Sequence, residues 1–126
     1  MRESKLWFWH IIAGVVILVF LGLHMFIMHL GVILGALGLA VAKEPTAAAV
    51  VFERSRQAFF MLTYIVLLGA ALYHGLYGLR TMLFELSISK GMQKTINRVF
   101  ATAGLALFVY GSYAAVVLFT MKEVAL

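Results

Sequence analysis

The segment "LYHGLYGLRTMLFEL", Leu72 to Leu86, sets a histidine, an arginine and a glutamate at the end of a long apolar run. Ionisable side chains inside an apolar span are costly and normally face a bundle interior or a cavity. His74 and Arg80 are therefore the first candidates for chemistry. At helical spacing Gly78 (i+4), Thr81 (i+7) and Glu85 (i+11) lie on the same face as His74. A glycine below the histidine removes the side chain that would collide with a flat ring or a closely packed helix. Arg80 falls near a membrane surface, where it can snorkel towards lipid phosphates.

Three further histidines, His10, His24 and His29, interrupt the first apolar run. His24 and His29 are five residues apart, about 140° around a helix, so they cannot both address one metal on one face. His10 is expected near the interface, in contact with headgroups. A zinc site wants ligands gathered in one coordination sphere, and no HExxH pattern is present. The absence of cysteine excludes disulfides, thiolate metal sites, iron–sulfur ligation and covalently attached haem. A proton relay would want carboxylates at depth, yet Glu3, Glu44, Glu53, Glu85 and Glu123 all fall near the ends of apolar runs.

Haem iron, by contrast, needs one imidazole on each face of an apolar macrocycle. With Trp7 at the cytoplasmic surface, His29 lies about 30 Å along the first helix, and His74 about 15 Å from the same side. Those two cannot flank one haem, and His24 differs from His74 by about 10 Å in depth. A ligand histidine is thus expected to face one from a partner subunit. The residues alone leave two roles open for His74: a haem ligand, or a core histidine hydrogen-bonded to a neighbouring helix.

The elements that position these residues follow from composition. Of 126 residues 64% are hydrophobic and 12% charged, with a mean hydropathy of +1.04. Soluble domains carry about 25% charged residues, so the chain belongs to the membrane class. The net charge of +5 comes from basic residues at the ends of apolar runs. That pattern suits topology and anionic lipid rather than nucleic acid.

The runs predict three transmembrane helices, at about 7–41, 57–84 and 99–121, in a single domain covering 1–126. "KEPTAAAVVFERSR", Lys43 to Arg56, is the expected first loop, with Pro45 as breaker, and "ELSISKGMQKTINR", Glu85 to Arg98, the second. The basic start and "AVA" before Lys43 imitate a secretory signal, but the first run far exceeds the ~7–15 residues of a signal core. It is read as an uncleaved helix. Arg2, Lys5, Lys90, Lys94 and Arg98 against Lys43, Arg54, Arg56 and Lys122 place the N-terminus in the cytoplasm, and Arg80 adds to that bias.

With these residues in view, "HGLYGLRTMLFEL" resembles the histidine segment of the small membrane-anchor (cytochrome b) subunits of succinate dehydrogenase and fumarate reductase, respiratory complex II. That segment reads H-x3-G-[IL]-[RW] with an acidic residue eleven positions after the histidine; His74, Gly78, Leu79, Arg80 and Glu85 match it. "LHMFIMHLGVILG" resembles the first-helix segment of two-haem anchors. The resemblance implies an all-α integral membrane protein whose three helices form part of a haem-binding bundle with a second anchor subunit. It implies His74 as an axial ligand of haem b, and His29 as ligand of a second haem nearer the outer face. Gly78 would clear the haem or a packed helix, and Arg80 would meet a propionate or quinone; His24 lacks a counterpart in that pattern and reads as a packing or quinone-site residue rather than a haem ligand.

The implied partners are a flavoprotein and an iron–sulfur protein on the cytoplasmic side of a bacterial or archaeal cytoplasmic membrane, with membrane quinone as substrate. The chain would not itself carry the dicarboxylate chemistry. Glu85 stands where the family carries Asp, and Thr81 and Leu86 stand where its two anchor types carry histidine or tyrosine, so the family's quinone contacts do not transfer. Two other readings fit the same residues: a small cytochrome b subunit of another membrane dehydrogenase, and a non-redox helical scaffold subunit.

Overall fold

Among the described residues, three long helices, α1 (Arg2–Ala36), α2 (Ala58–Phe84) and α3 (Lys90–Thr120), make up the computed structural model. The structure describes residues 2–39, 50, 53–54 and 57–121. Each helix is long and apolar enough to cross a membrane; at 1.5 Å per residue even the shortest reaches about 40 Å, against ~30 Å of hydrocarbon. The chain is all-helical in its described residues, as its apolar runs predict.

The ends of α1 and α3 differ from the expected spans, and both differences have local causes. α1 starts five residues earlier than 7–41, because the polar "RESK" continues the helix out of the apolar run. It ends at Ala36, where Gly38 takes φ +73 and the Gly38 and Leu39 N–H groups donate to the carbonyls of Gly35 (3.0 Å) and Leu34 (2.9 Å). This is the left-handed glycine closure that stops many helices. α3 starts at Lys90, so most of the expected second loop is helix. The Ser89 side chain accepts from the Met92 N–H at 3.2 Å and caps the first turn. Polarity marks residues 90–98 as solvent-exposed, and the reading of them as loop is corrected. The expected first loop lies outside the described residues apart from Val50, Glu53 and Arg54, and so does the tail after Met121.

α1 and α3 both pack on α2, and among the described residues they do not pack on each other. The result is a flat layer running up, down and up, with α2 in the middle. Only Ala13 and Thr63 are buried among the described residues. The chain exposes 9341 Å², where a compact globular chain of 13.9 kDa exposes about 6,700 Å². The excess apolar surface calls for lipid or protein cover.

Glycines set the close approach of α2 and α3. A Cβ on Gly69 would lie 3.1 Å from Phe108 Cε2, one on Gly104 would lie 2.8 Å from Leu76 Cδ1, and one on Gly111 would strike Leu68 Cδ2. With no hydrophobic drive between helices in lipid, such small-residue seams allow the dispersion contacts that hold the layer together.

Candidate functional site

His74 meets His10. Their imidazole rings stack with centroids 4.1 Å apart and planes within 6° of parallel. The helices cross so that each ring lies over a glycine of the other helix. A Cβ on Gly14 would be 3.1 Å from His74 Cε1, and a Cβ on Gly78 would be 3.3 Å from His10 Cε1. Gly14 follows His10 by four residues, just as Gly78 follows His74, so two H-x3-G segments interlock reciprocally across the antiparallel pair.

His74 Nδ1 lies 3.1 Å from the His10 backbone carbonyl. A carbonyl oxygen only accepts, so Nδ1 is the donor in this contact, and in the neutral ring Nε2 is then the acceptor nitrogen. Nε2 has no hydrogen-bond partner among the described residues. Fixing one ring nitrogen on a carbonyl is how proteins orient an imidazole whose other nitrogen binds a metal. His74 Nε2 would be the nitrogen to hold a haem iron. His10, stacked parallel to His74, presents its ring face to it. Its own Nδ1 is buried without a partner among the described residues.

The expectation that His10 is a headgroup histidine is corrected by this pairing. It came from starting the membrane at Trp7; with α1 helical from Arg2, the helix pair brings His10 to the level of His74. The matched spacing of "HIIAG" and "HGLYG" is visible in the sequence, though not that the two segments meet.

The other candidates lie elsewhere. His24 sits edge-on to Tyr64, with centroids 6.2 Å apart, in a niche with Arg54, Phe60 and Thr63. The free volume there is about 10 Å³, at the lower limit for one water, so nothing of quinone size fits beside it as it stands. His29 is exposed and makes no hydrogen bond or ring contact among the described residues. It is 19 residues beyond His10, about 28 Å along α1. The structure does not bring His29 or His24 to His74, and among the described residues there is no group of three or more His, Cys, Asp or Glu able to hold a metal ion.

Arg80 ties all three helices at the same end. Its Nη1 and Nη2 donate to the two carboxylate oxygens of Glu3 on α1, at 3.2 and 3.1 Å, and its Nε donates to Asn97 Oδ1 on α3 at 2.6 Å. The guanidinium lies 4.3 Å from the Phe84 ring centroid and 5.5 Å from that of Tyr77. Three of its five N–H groups are thereby engaged. One helical turn deeper, Tyr77 leads back to His10, with ring centroids 5.2 Å apart, and the Tyr73 hydroxyl donates to the Leu6 carbonyl at 2.8 Å.

The two partners of this ion pair are unequal. The Arg80 side chain is 15% exposed and that of Glu3 66%. Glu3→Gln should lower stability by less than ~1 kcal/mol, the usual worth of an exposed pair. Arg80→Ala removes the ring stacking and the Asn97 bond as well, and should cost about 2 kcal/mol. Unfolding midpoints in detergent check the ranking, and a Glu3→Gln loss equal to that of Arg80→Ala would contradict it.

Arg80 and Asn97 stand at one end of a groove of about 410 Å³ between α2 and α3, walled by Leu76, Phe100, Gly104 and Phe108. In comparisons with known proteins, the chain matches no family model, no curated protein and no solved structure.

Proposed function

We propose that the chain is a membrane-anchor subunit of a succinate:quinone or quinol:fumarate oxidoreductase, with His74 as a haem b ligand. The observation that carries this reading is the contact of His74 Nδ1 with the His10 backbone carbonyl at 3.1 Å. That contact leaves Nε2 without a hydrogen-bond partner among the described residues, inside the segment that resembles the family's haem histidine. A bound haem would supply a one-electron relay between a partner iron–sulfur protein and membrane quinone.

The chain's own residues orient the ligand. The His10 ring and Gly14 confine the His74 imidazole, and Arg80 keeps two N–H groups for a propionate. A second anchor subunit would bring the opposing histidine and cover part of the exposed apolar surface, and His29, facing outwards, would serve a second haem against that same partner. The catalytic flavoprotein and the iron–sulfur protein would dock at the end that carries Arg2, Lys5, Lys90, Lys94 and Arg98.

The test is a reduced-minus-oxidised absorption spectrum of the complex purified through a tag on this chain, with haem quantified. The expected result is a b-type spectrum, with one haem per anchor pair for His74 alone, or two if His29 also binds. A colourless, well-folded complex would overturn the reading.

One observation favours the scaffold reading. The reciprocal interlock of His10–Gly14 with His74–Gly78 accounts for both H-x3-G segments as helix packing, with no cofactor. The same spectrum decides between them.

A further inference from the structure

The groove between α2 and α3 has a chemistry that neither the haem ligand nor the helix clamp uses. Its α3 wall is formed by Asn97, Phe100, Ala101, Gly104, Leu105 and Phe108. At 100° per residue these fall within about 140° of arc on one side of the helix, and Lys90 and Lys94 fall on that same side, with Arg98 at its margin. The apolar strip thus continues, past Asn97, into a cationic one. Lys90, Lys94 and Arg98 are exposed and make no ion pair among the described residues.

The dimensions match one lipid leaflet. Asn97 to Phe108 spans 11 residues, about 16 Å, and half of a ~30 Å hydrocarbon core is ~15 Å. The groove is open at the side and apolar along its length, and its polar groups gather at the Arg80–Asn97 end. Charge at this end of the molecule is one-sided: six basic residues (Arg2, Lys5, Arg80, Lys90, Lys94 and Arg98) stand with two acidic ones, Glu3 and Glu85, and Glu3 is taken up by Arg80.

We infer that this groove binds an anionic phospholipid, with one acyl chain lying between α2 and α3 against Ala101, Leu105 and Phe108, and the phosphate held by Lys90, Lys94 and Arg98. A zwitterionic lipid offers the same tail, but its own cation offsets the attraction. The apolar strip alone would not discriminate among lipids. The cationic continuation does, because each basic residue near a membrane surface adds its own increment of attraction for anionic headgroups.

The full-length chain in detergent is mixed with equal amounts of phosphatidylglycerol and phosphatidylcholine and read by native mass spectrometry. One phosphatidylglycerol should be retained in preference. Lys90→Gln, Lys94→Gln and Arg98→Gln should each weaken its retention about fivefold. Ala101→Phe, which fills the groove from an exposed position, should abolish retention with the helical circular dichroism unchanged. Equal retention of the two lipids, or retention unaffected by Ala101→Phe, would overturn the proposal.

The absence of native cysteine permits a second reading in membranes. A photo-crosslinker on Ala101→Cys should give a lipid adduct, whereas an adduct to another polypeptide or to quinone would overturn the assignment. None of these readouts depends on haem, so the lipid site and the anchor-subunit reading stand or fall separately.

Discussion

Replacing Gly14 by alanine lowers the unfolding free energy by about 1–3 kcal/mol, the range for overpacking a close contact, while Gly22→Ala does the reverse. A Cβ at Gly14 meets His74 Cε1 at 3.1 Å and Nδ1 at 3.2 Å. The His74 ring cannot step aside cheaply, because its face lies on His10 and its Nδ1 is bonded to the His10 carbonyl. Gly22 has nothing within 4 Å, so alanine there should gain about 0.5–1 kcal/mol of helix preference.

Gly111 is the informative intermediate. Its Cβ would strike Leu68 Cδ2 more closely than any contact at Gly14, yet that atom is the end of a flexible side chain that can change rotamer. The order of loss should therefore be Gly14, then Gly111, with a gain at Gly22. Detergent-unfolding titrations followed by circular dichroism measure it. A larger loss at Gly111 than at Gly14 would show that the imidazole stack yields more readily than the leucine, and would remove the interlock as the organising contact of α1 and α2.

How far the sequence carried depended on whether a feature was local. α2 was legible to within a residue, since its apolar run is bounded by Arg56 and Gln57 on one side and Glu85 on the other. α3 was not, because polar residues 90–98 mark the membrane boundary rather than the end of the helix. The stop of α1 at Ala36 had a local signal in "GALGL" that hydropathy alone passes over.

The site divides in the same way. His74 stood out because an imidazole in an apolar span needs a reason, and Gly78 because of what a side chain there would block. Their partner did not. His10 is 64 residues from His74, and its depth depends on how α1 slides against α2. That register is set by contacts such as Arg80 with Glu3, 77 residues apart, which no local pattern encodes. Depth counted from an assumed membrane surface at Trp7 misplaced the one histidine that His74 touches.

The stack also makes the two histidines separable by experiment. His74→Phe keeps an aromatic ring against His10 but removes both nitrogens. The His10 carbonyl loses one donor while keeping its place in the α1 backbone ladder, so the cost should be about 1 kcal/mol, and the complex should still assemble. If His74 ligates haem, that haem's absorbance disappears in an otherwise folded complex. His10→Phe should behave differently, because His74 is oriented by the backbone carbonyl of residue 10, which every substitution retains. The ring stack survives, Nδ1 keeps its acceptor, and any haem held by His74 should stay.

Purified complexes of the two variants, compared by reduced-minus-oxidised spectra and by unfolding midpoints, give a pattern that packing alone cannot produce. Loss of absorbance from His74→Phe and not from His10→Phe assigns the ligand to His74. The opposite result would move the ligand to His10, whose buried Nδ1 without a partner would then be the nitrogen to follow. An unsubstituted complex that is itself colourless, with equal, small shifts in midpoint for the two variants, would leave the paired imidazoles as a packing device, in which two glycines and two flat rings let antiparallel helices approach where larger side chains would hold them apart.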